Sequence, residues 1–105
     1  MPVPRRGEVW WVDLGLAAKT RPCLLLTDYP QGDELMLVTV VPHTTALRNT
    51  RWELPVPKPF LKPGAFHLQQ LLSIPVIRLE QRIGALTDAE LDSVGTRFRE
   101  LLQLG

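Results

Sequence analysis

The side chains best suited to chemistry in this sequence are an arginine and two threonines beside apolar runs. Arg21 precedes Pro22, where a polar link enters an apolar run, so its guanidinium is free to point outward. A guanidinium presents the planar fork of donors that a phosphate requires. Thr44 and Thr45 follow another apolar run, where hydroxyls and backbone amides can bind an anion. A surface ion pair for the arginine and a turn for the threonines are the structural alternatives, and both stay open here.

His67 is the residue best suited to move a proton. Histidine has a reference pKa of ~6.5, so it can accept or donate a proton near neutral pH. Gln69 follows two residues later and shares a face with His67 if this segment is a strand. The alternative is a partly exposed strand histidine without a chemical role.

Other kinds of site find no support in the sequence. It contains no Walker loop, GxGxxG, HExxH or GxSxG motif. His43 and His67 have no nearby cysteine or carboxylate pair, so we expect no metal and no cofactor. Cys23 is the single cysteine, which excludes an internal disulfide and a structural zinc site. Its apolar strand favours an inert core thiol over a Cys–His dyad.

The charge distribution allows a nucleic-acid partner only through a small surface. Twelve Lys and Arg residues nearly balance eleven Asp and Glu residues, for a net charge of +1. A protein that coats duplex DNA is usually far more basic. Within residues 43–62, however, only Glu53 opposes four cations, which are Arg48, Arg51, Lys58 and Lys62. Such a segment either binds a nucleic acid or is a solvated loop.

Three tryptophans are many for a chain of 105 residues. An exposed ring can stack on a base, which contributes ~1–3 kcal/mol per base. Trp10, Trp11 and Trp52 are the candidates, and core packing is expected for at least one of the adjacent pair.

A folded domain must position these residues, and the length and composition of the chain indicate its class. A chain of 105 residues with 45% hydrophobic and 22% charged residues is typical of one globular domain, so we expect a single domain over residues 1–105. No apolar run reaches the ~18 residues of a membrane helix, and the first residues do not resemble a secretion signal. We therefore expect a cytoplasmic protein with no membrane partner.

Short apolar runs between prolines and glycines predict a mainly β structure of five or six strands. The predicted strands are Glu8–Leu14, Pro22–Thr27, Leu35–Val41, Trp52–Val56, Leu68–Ile74 and Arg82–Leu86. A hairpin turn is expected at Tyr29–Asp33, a short link at Gly15–Thr20, a polar loop at 43–51 and one helical turn at Pro75–Glu80. In the first strand, Trp10, Val12 and Leu14 share one face.

The clearest predicted element is a helix at the C-terminus. Thr87 and Glu90 have the spacing of a capping box, in which each side chain bonds the other residue's backbone amide. An apolar stripe follows at helical spacing, made of Leu91, Val94, Phe98, Leu101 and Leu102. This stripe and the adjacent tryptophans offer more apolar surface than one small core needs, which predicts a homodimer. The fold class is a mainly β (α+β) protein, a small barrel-like sheet with a C-terminal helix.

Five segments together resemble the MazF/PemK/Kid toxins over about residues 5–105. They are RGEVWWVDLG, KTRPCLLLT, VVPHTT, GAFHLQQLLSI and RIGALTDAELDSVGTRFRELLQLG. The resemblance implies an SH3-like barrel of the CcdB/Kid/MazF type that forms a homodimer. It also implies a sequence-selective endoribonuclease that cleaves single-stranded mRNA without a metal and is inhibited by a cognate antitoxin.

The resemblance also implies roles for individual residues. Arg21 matches the arginine that contacts the scissile phosphate, and Thr44 matches a threonine that hydrogen-bonds there. Gln69 stands where the family often has an aspartate, and His67 where the Kid-like branch has an arginine proposed as an acid. His67 is therefore the expected acid–base residue. Thr45, Gln69, Arg48 and Trp11 complete the expected site as substrate-binding residues.

Two alternatives from other functional classes remain. One is a weak or inactive member that only binds RNA or an antitoxin, because glutamine cannot accept a proton at neutral pH. The other is a gyrase-targeting toxin with the related CcdB barrel, since a shared fold does not fix a function.

Overall fold

The computed structural model describes residues 3–15 and 19–105. Its strands are β1 (Glu8–Asp13), β2 (Thr20–Leu25), β3 (Leu37–Thr44), β4 (Glu53–Leu54), β5 (Ala65–His67), β6 (Leu72–Pro75) and β7 (Leu79–Ala85). Two short 3₁₀ helices occupy Leu68–Gln70 and Val76–Arg78, and helix α1 spans Asp88–Leu102. The predicted link at Gly15–Thr20 falls partly on residues 16–18, which lie outside the described residues.

Strand β3 organises the sheet because three strands pair with different parts of it. Its first half, Leu37–Val40, pairs with β6, and Val40–Pro42 pairs with β2. Its end, His43 and Thr44, pairs with β5. The order β4-β5-β3-β2-β1-β7 is antiparallel at every pairing, and β4 lies at the edge as its prolines predict. The C-terminal end of β3 therefore connects the two parts of the sheet.

Hydrophobic residues pack on both faces of the sheet. On one face, Val9, Leu24 and Val41 join the buried side of α1 in a first core. On the other, Val12, Cys23 and Leu25 form a second core, against which Trp10 and Leu14 pack. The predicted shared face of Trp10, Val12 and Leu14 is confirmed.

Helix α1 begins as its capping box predicts. The Glu90 amide donates to Thr87 Oγ1 at 3.2 Å, and the Thr87 amide donates to Glu90 Oε1 at 2.8 Å. Leu91, Val94 and Phe98 are buried in the first core. The expectation of surplus apolar surface along the stripe is wrong for these three residues, which the chain's own core uses, whereas Leu102 near the end of the helix is 50% exposed.

The largest difference from prediction concerns residues 65–75. The predicted strand Leu68–Ile74 is wrong in its first half, where Leu68–Gln70 forms a 3₁₀ helix between β5 and β6. The Leu68 amide donates to the Trp52 carbonyl at 2.9 Å, which anchors this turn beside β4. His67 and Gln69 therefore do not share a strand face, and the described chain has seven strands instead of five or six.

Other boundaries differ by a few residues. Strand β3 continues through His43 and Thr44, which were expected in a loop, because β5 offers them a pairing partner. The helical turn expected after Pro75 is present at Val76–Arg78, and the last strand starts earlier, at Leu79. No helix in the described ranges is long and apolar enough to cross a membrane.

Candidate active site

Two adjoining cavities lie at the end of β3 and share Arg21, Thr44 and Ala46 in their walls. The first, of about 370 Å³, is called here the aromatic cavity. The second, of about 540 Å³, is called the polar cavity. The remaining wall of the aromatic cavity consists of Trp11, Pro22, His43, Thr45, Phe60 and Lys62. That of the polar cavity consists of Arg48, Thr50, His67, Gln69 and Gln70.

The seven residues expected at the site from the sequence all line these cavities. They are Arg21, Thr44, Thr45, His67, Gln69, Arg48 and Trp11. Lys62 had appeared in the sequence only as part of a basic segment, and His43 only as a histidine without metal-ligand partners. Phe60 carries no sequence signal, since it lies between two prolines and reaches the cavity through tertiary packing.

Arg21 and Thr44 come from the neighbouring strands β2 and β3, just beyond the paired residues Cys23 and Pro42. Arg21 pairs with Val12 of β1, and Thr44 pairs with Ala65 of β5. The Ala46 amide donates to Thr44 Oγ1 at 3.1 Å. The hydroxyl accepts this bond, so its own proton can be donated to an anion in the cavity.

Gly64 lets β5 approach Thr44 closely. A Cβ atom at position 64 would collide with the Thr44 carbonyl oxygen and lie 2.9 Å from His43 Cε1. Only a glycine fits this position without moving Thr44.

His67 is a largely enclosed polar side chain of the polar cavity, with 9% of its surface exposed. Its Nδ1 atom is buried and has no hydrogen-bond partner within the part of the chain that the structure describes. Because Nδ1 is shielded, a ligand in the cavity can meet His67 only through the exposed part of its ring.

Glu53 fixes the loop that carries Arg48 and Thr50. Its carboxylate accepts from the Arg48 amide at 2.8 Å and from the Thr50 amide at 2.9 Å. These two bonds lower the pKa of Glu53, which is also attracted to His67, its partner in the β4–β5 pairing. The carboxylate therefore acts as an internal clamp that presents this loop to the polar cavity.

The electrostatics of both cavities favour an anion. Arg21, Arg48 and Lys62 supply three positive charges, and no Asp or Glu is among the described residues that line either cavity. Burial lowers the pKa of His43, so its ring is neutral near pH 7.

Neighbouring groups do not supply a thiol or a metal centre. Burial raises the pKa of the Cys23 thiol to about 12, as expected of an inert core thiol. Across residues 3–15 and 19–105, no three His, Cys, Asp or Glu side chains cluster as metal ligands would.

Comparisons with known proteins agree with this architecture. The chain is 30% identical over 97 residues to a Mycobacterium tuberculosis protein named "Probable endoribonuclease MazF5", covering 90% of this chain and 88% of that protein. The M. tuberculosis toxin MazF-mt6 superposes with a TM-score of 0.79 at 27% identity, over 93% of this chain and 98% of its own. A chain from the MazE–MazF crystal structure of Deinococcus radiodurans superposes over both full lengths with a TM-score of 0.81, and at 18% identity it supports the fold alone.

A family model described as PemK-like, MazF-like toxin of type II toxin–antitoxin systems matches residues 5–102. These matches confirm the predicted fold class, an antiparallel sheet with one C-terminal helix, and they do not favour the inactive or gyrase-targeting alternatives. With nearly its whole length matched by the model, the chain belongs to the PemK-like, MazF-like toxin family.

Proposed function

We propose that this toxin is an endoribonuclease that cleaves single-stranded mRNA at selected sequences without a metal. The observation that carries the proposal is the polar cavity, where Arg21, Thr44 and His67 meet without a carboxylate among its described lining residues. A cationic, hydroxyl-bearing cavity fits a phosphodiester, and a histidine there supplies acid–base chemistry at neutral pH. The family membership of the chain points to the same activity.

The proposed reaction is the internal transfer of a phosphodiester. The 2′-hydroxyl loses its proton and attacks the adjacent phosphorus, and the bond to the 5′-oxygen breaks as that oxygen gains a proton. The products are a 2′,3′-cyclic phosphate and a 5′-hydroxyl. The Arg21 guanidinium and the Thr44 hydroxyl bind the phosphate oxygens, where negative charge increases in the transition state.

His67 is proposed to carry one of the two proton transfers, because its ring lines the polar cavity together with Arg21 and Thr44. Gln69 cannot accept a proton at neutral pH, so it binds the substrate by hydrogen bonds, and Arg48 neutralises a neighbouring phosphate.

The direct test is incubation of the purified protein with a long single-stranded RNA in EDTA, followed by mapping of the ends. Cleavage that leaves cyclic phosphates supports the proposal. Intact RNA in EDTA, with cleavage restored by a divalent cation, contradicts its metal-independent part.

We also propose a cognate antitoxin as the protein partner. The related structure from D. radiodurans contains MazE together with MazF, and this chain has the same fold. The test is co-expression with a small acidic protein encoded directly upstream of this gene. The proposal requires co-purification and loss of RNA cleavage in the complex. Since mRNA is the proposed substrate, the cytoplasm is the proposed location.

A homodimer remains the proposed assembly, although on a different surface from the helix stripe. Leu35, Met36, Leu37 and Ile77 are exposed apolar residues, and the Val76 amide donates to the Met36 carbonyl at 3.1 Å, which brings these two segments together. Covering such a patch with a second copy removes it from water. Sedimentation at micromolar concentration tests this, and an 11.9 kDa monomer contradicts it.

A further inference from the structure

One ion pair joins helix α1 to the segment between β4 and β5. Lys58 Nζ lies 2.6 Å from Glu90 Oε1, in the first turn of α1. The same segment then places Lys62 in a cavity wall together with Arg21. We infer that Lys58 and Glu90 are positioning residues, whose ion pair holds the Lys62 ammonium where it contacts a phosphate of the bound strand. This inference rests on the proposed ribonuclease function.

The Glu90 carboxylate is a fixed partner for Lys58. Its Oε1 atom also accepts from the Thr87 amide at 2.8 Å, and the Glu90 amide donates to Thr87 Oγ1. The capping box therefore holds this side chain in one orientation at the start of α1. Because the carboxylate is already ordered, Lys58 is attached to the helix and not to a mobile surface group.

The Lys58–Glu90 pair is also the most enclosed ion pair within the described part of the chain. The two side chains are 15% and 30% exposed, whereas each of the other pairs contains an arginine that is at least 37% exposed. Solvent and salt screen an enclosed pair less than an exposed one. The pair is therefore able to fix the orientation of the segment that carries Lys58.

The chain from Lys58 to Lys62 is short and stiff. The Leu61 amide donates to the Lys58 carbonyl at 3.1 Å, which closes a turn. Three of the seven residues 57–63 are prolines, and proline fixes the backbone angle φ. The Phe60 ring packs so closely on the backbone of β7 that an added Cβ there would collide with it. A change in the direction of Lys58 therefore reaches Lys62 instead of being absorbed by a flexible loop.

The fold itself does not depend on the ion pair. Val56 is buried in the first core, and Phe60 and Leu61 pack against the same core. These apolar contacts fix where the segment lies, whereas the ion pair fixes how its turn is oriented. Ion pairs with partial exposure contribute little to stability. Loss of the Lys58 charge should therefore move Lys62 without unfolding the protein.

Lys62 has a charge that is available for a strand of RNA. It is exposed, and it forms no ion pair within residues 3–15 and 19–105. Arg21, in the same wall, is proposed to bind the cleaved phosphate. The Lys62 ammonium is thus suited to a neighbouring phosphate of the same strand.

The experiment measures the Kd of a single-stranded oligonucleotide at salt concentrations between about 50 and 200 mM. The strand has 2′-deoxy sugars, so it lacks the attacking hydroxyl and binds without being cleaved. The slope of log Kd against log salt counts phosphate contacts, at about 0.7 for each contact with a single strand. Thermal unfolding of each variant shows whether its fold is retained.

The variants separate a direct contact from a positioning role. Lys62→Met removes the inferred contact, Lys58→Met removes its support, and a double variant combines the two changes. Lys58→Arg keeps a cation, and Glu90→Gln removes the charge but keeps a capping oxygen. Arg97→Met is the matched control, because it breaks an ion pair with Glu100 on the same helix.

Lys62→Met should weaken binding by about 3- to 10-fold at the lowest salt concentration and reduce the slope by about 0.7. Lys58→Met and Glu90→Gln should produce the same two changes. The double variant should bind no more weakly than Lys62→Met, because both changes act through one contact. Lys58→Arg and Arg97→Met should match the parent protein.

Parent-like affinity and slope in folded Lys58→Met overturn the inference, and Glu90→Gln decides in the same way if Lys58→Met does not fold. Additive weakening in the double variant also overturns it, since Lys58 would then contact the strand itself. If the parent protein binds the strand but cleaves no RNA, the proposed function fails while these comparisons still decide the inference. A parent protein that does not bind the strand overturns the inference, and RNA cleavage then decides the proposed function separately.

Discussion

The two ends of β3 carry cavities of opposite character. Near its start, Leu37 and Thr39 border an open groove of about 700 Å³, larger than either cavity at its end. The charged residues that line this groove within the described chain are Asp28 and Glu34, both acidic. Those at the other end are basic or histidine. For a polyanionic substrate, charge and donor groups therefore locate the site better than volume does.

The two acidic side chains of the groove already accept hydrogen bonds within the fold. Asp28 accepts from the Arg6 amide and Glu34 from the Gln31 amide, each at 2.8 Å. These carboxylates hold turns, whereas His67 and Arg21 line the wall of a cavity. Variants at the two ends of β3 should therefore distinguish residues needed for RNA cleavage from residues that only stabilise the fold.

The largest effect is expected at His67. Replacement by glutamine keeps a polar side chain but removes the ring nitrogens, and cleavage should slow by about 10²–10⁴-fold, the usual share of one general acid or base. Measurement of the single-turnover cleavage rates of both proteins provides the check.

His43→Gln is the matched control for the loss of an imidazole ring. His43 lines the aromatic cavity and not the polar one, so its replacement should slow cleavage far less than the replacement of His67. A normal cleavage rate in folded His67→Gln would exclude the proton-transfer role.

Arg21→Ala should follow, with a loss of about 10²–10³-fold in cleavage, because one donor to the developing charge is removed. The fold should survive, since the residue is only half-buried at the strand edge. Arg99→Ala, an exposed arginine in the last turn of α1, controls for the loss of a positive charge and should cleave normally. Equal rates for Arg21→Ala and the parent protein would remove Arg21 from the site.

Glu53→Gln should cost about 10-fold in cleavage, because one loop amide loses its acceptor and Arg48 is less well placed. The lowered pKa of Glu53 means that its clamp stabilises the fold fully above the ordinary glutamate pKa of ~4.3 and is lost as pH falls through the lowered value. Thermal unfolding between pH 6 and 3 should therefore show a weaker acid dependence in Glu53→Gln.

Other glutamates contribute to the acid sensitivity of both proteins. The Lys58 ammonium and the Thr87 amide lower the pKa of Glu90, so it also loses stabilisation as pH falls. The contribution of the Glu53 carboxylate to stability is measured by the difference between the unfolding curves of the parent protein and of Glu53→Gln, and not by either curve alone. Identical slopes would show that Glu53 is not the acid-sensitive group of this loop.

The smallest effect is expected in the groove. Glu34→Gln keeps an oxygen that can accept from the Gln31 amide, so cleavage should stay within about twofold of the parent rate. A gain or loss beyond that range in the same single-turnover assay would show that RNA also crosses the start of β3.

Short sequence patterns predicted the elements that depend on contacts between residues close together in the sequence. The capping box predicted the start of α1, and alternation predicted the two faces of β1. Arg21 and Thr44 were found from their places beside apolar runs, and family resemblance added their roles. The polar residues of the site were thus largely predictable.

What the sequence did not show depends on contacts between distant segments. The break of the expected strand at Leu68 follows from its bond to Trp52, which the pattern of residues 68–74 does not contain. Glu53 was counted only as a charge that opposes a basic segment, whereas it binds that segment's backbone. Phe60 reaches its cavity by packing against Gly84.

The close approach at Gly64 has a genetic consequence. Every glycine codon becomes an alanine, valine, aspartate or glutamate codon, among others, by one nucleotide change, and any of these side chains would push on the Thr44 carbonyl. Cells that survive forced production of this toxin should therefore carry changes at codon 64 alongside changes at Arg21 and His67. Such survivors would identify Gly64 as essential although it has no side chain to contact RNA. It is needed because the missing side chain leaves room for Thr44.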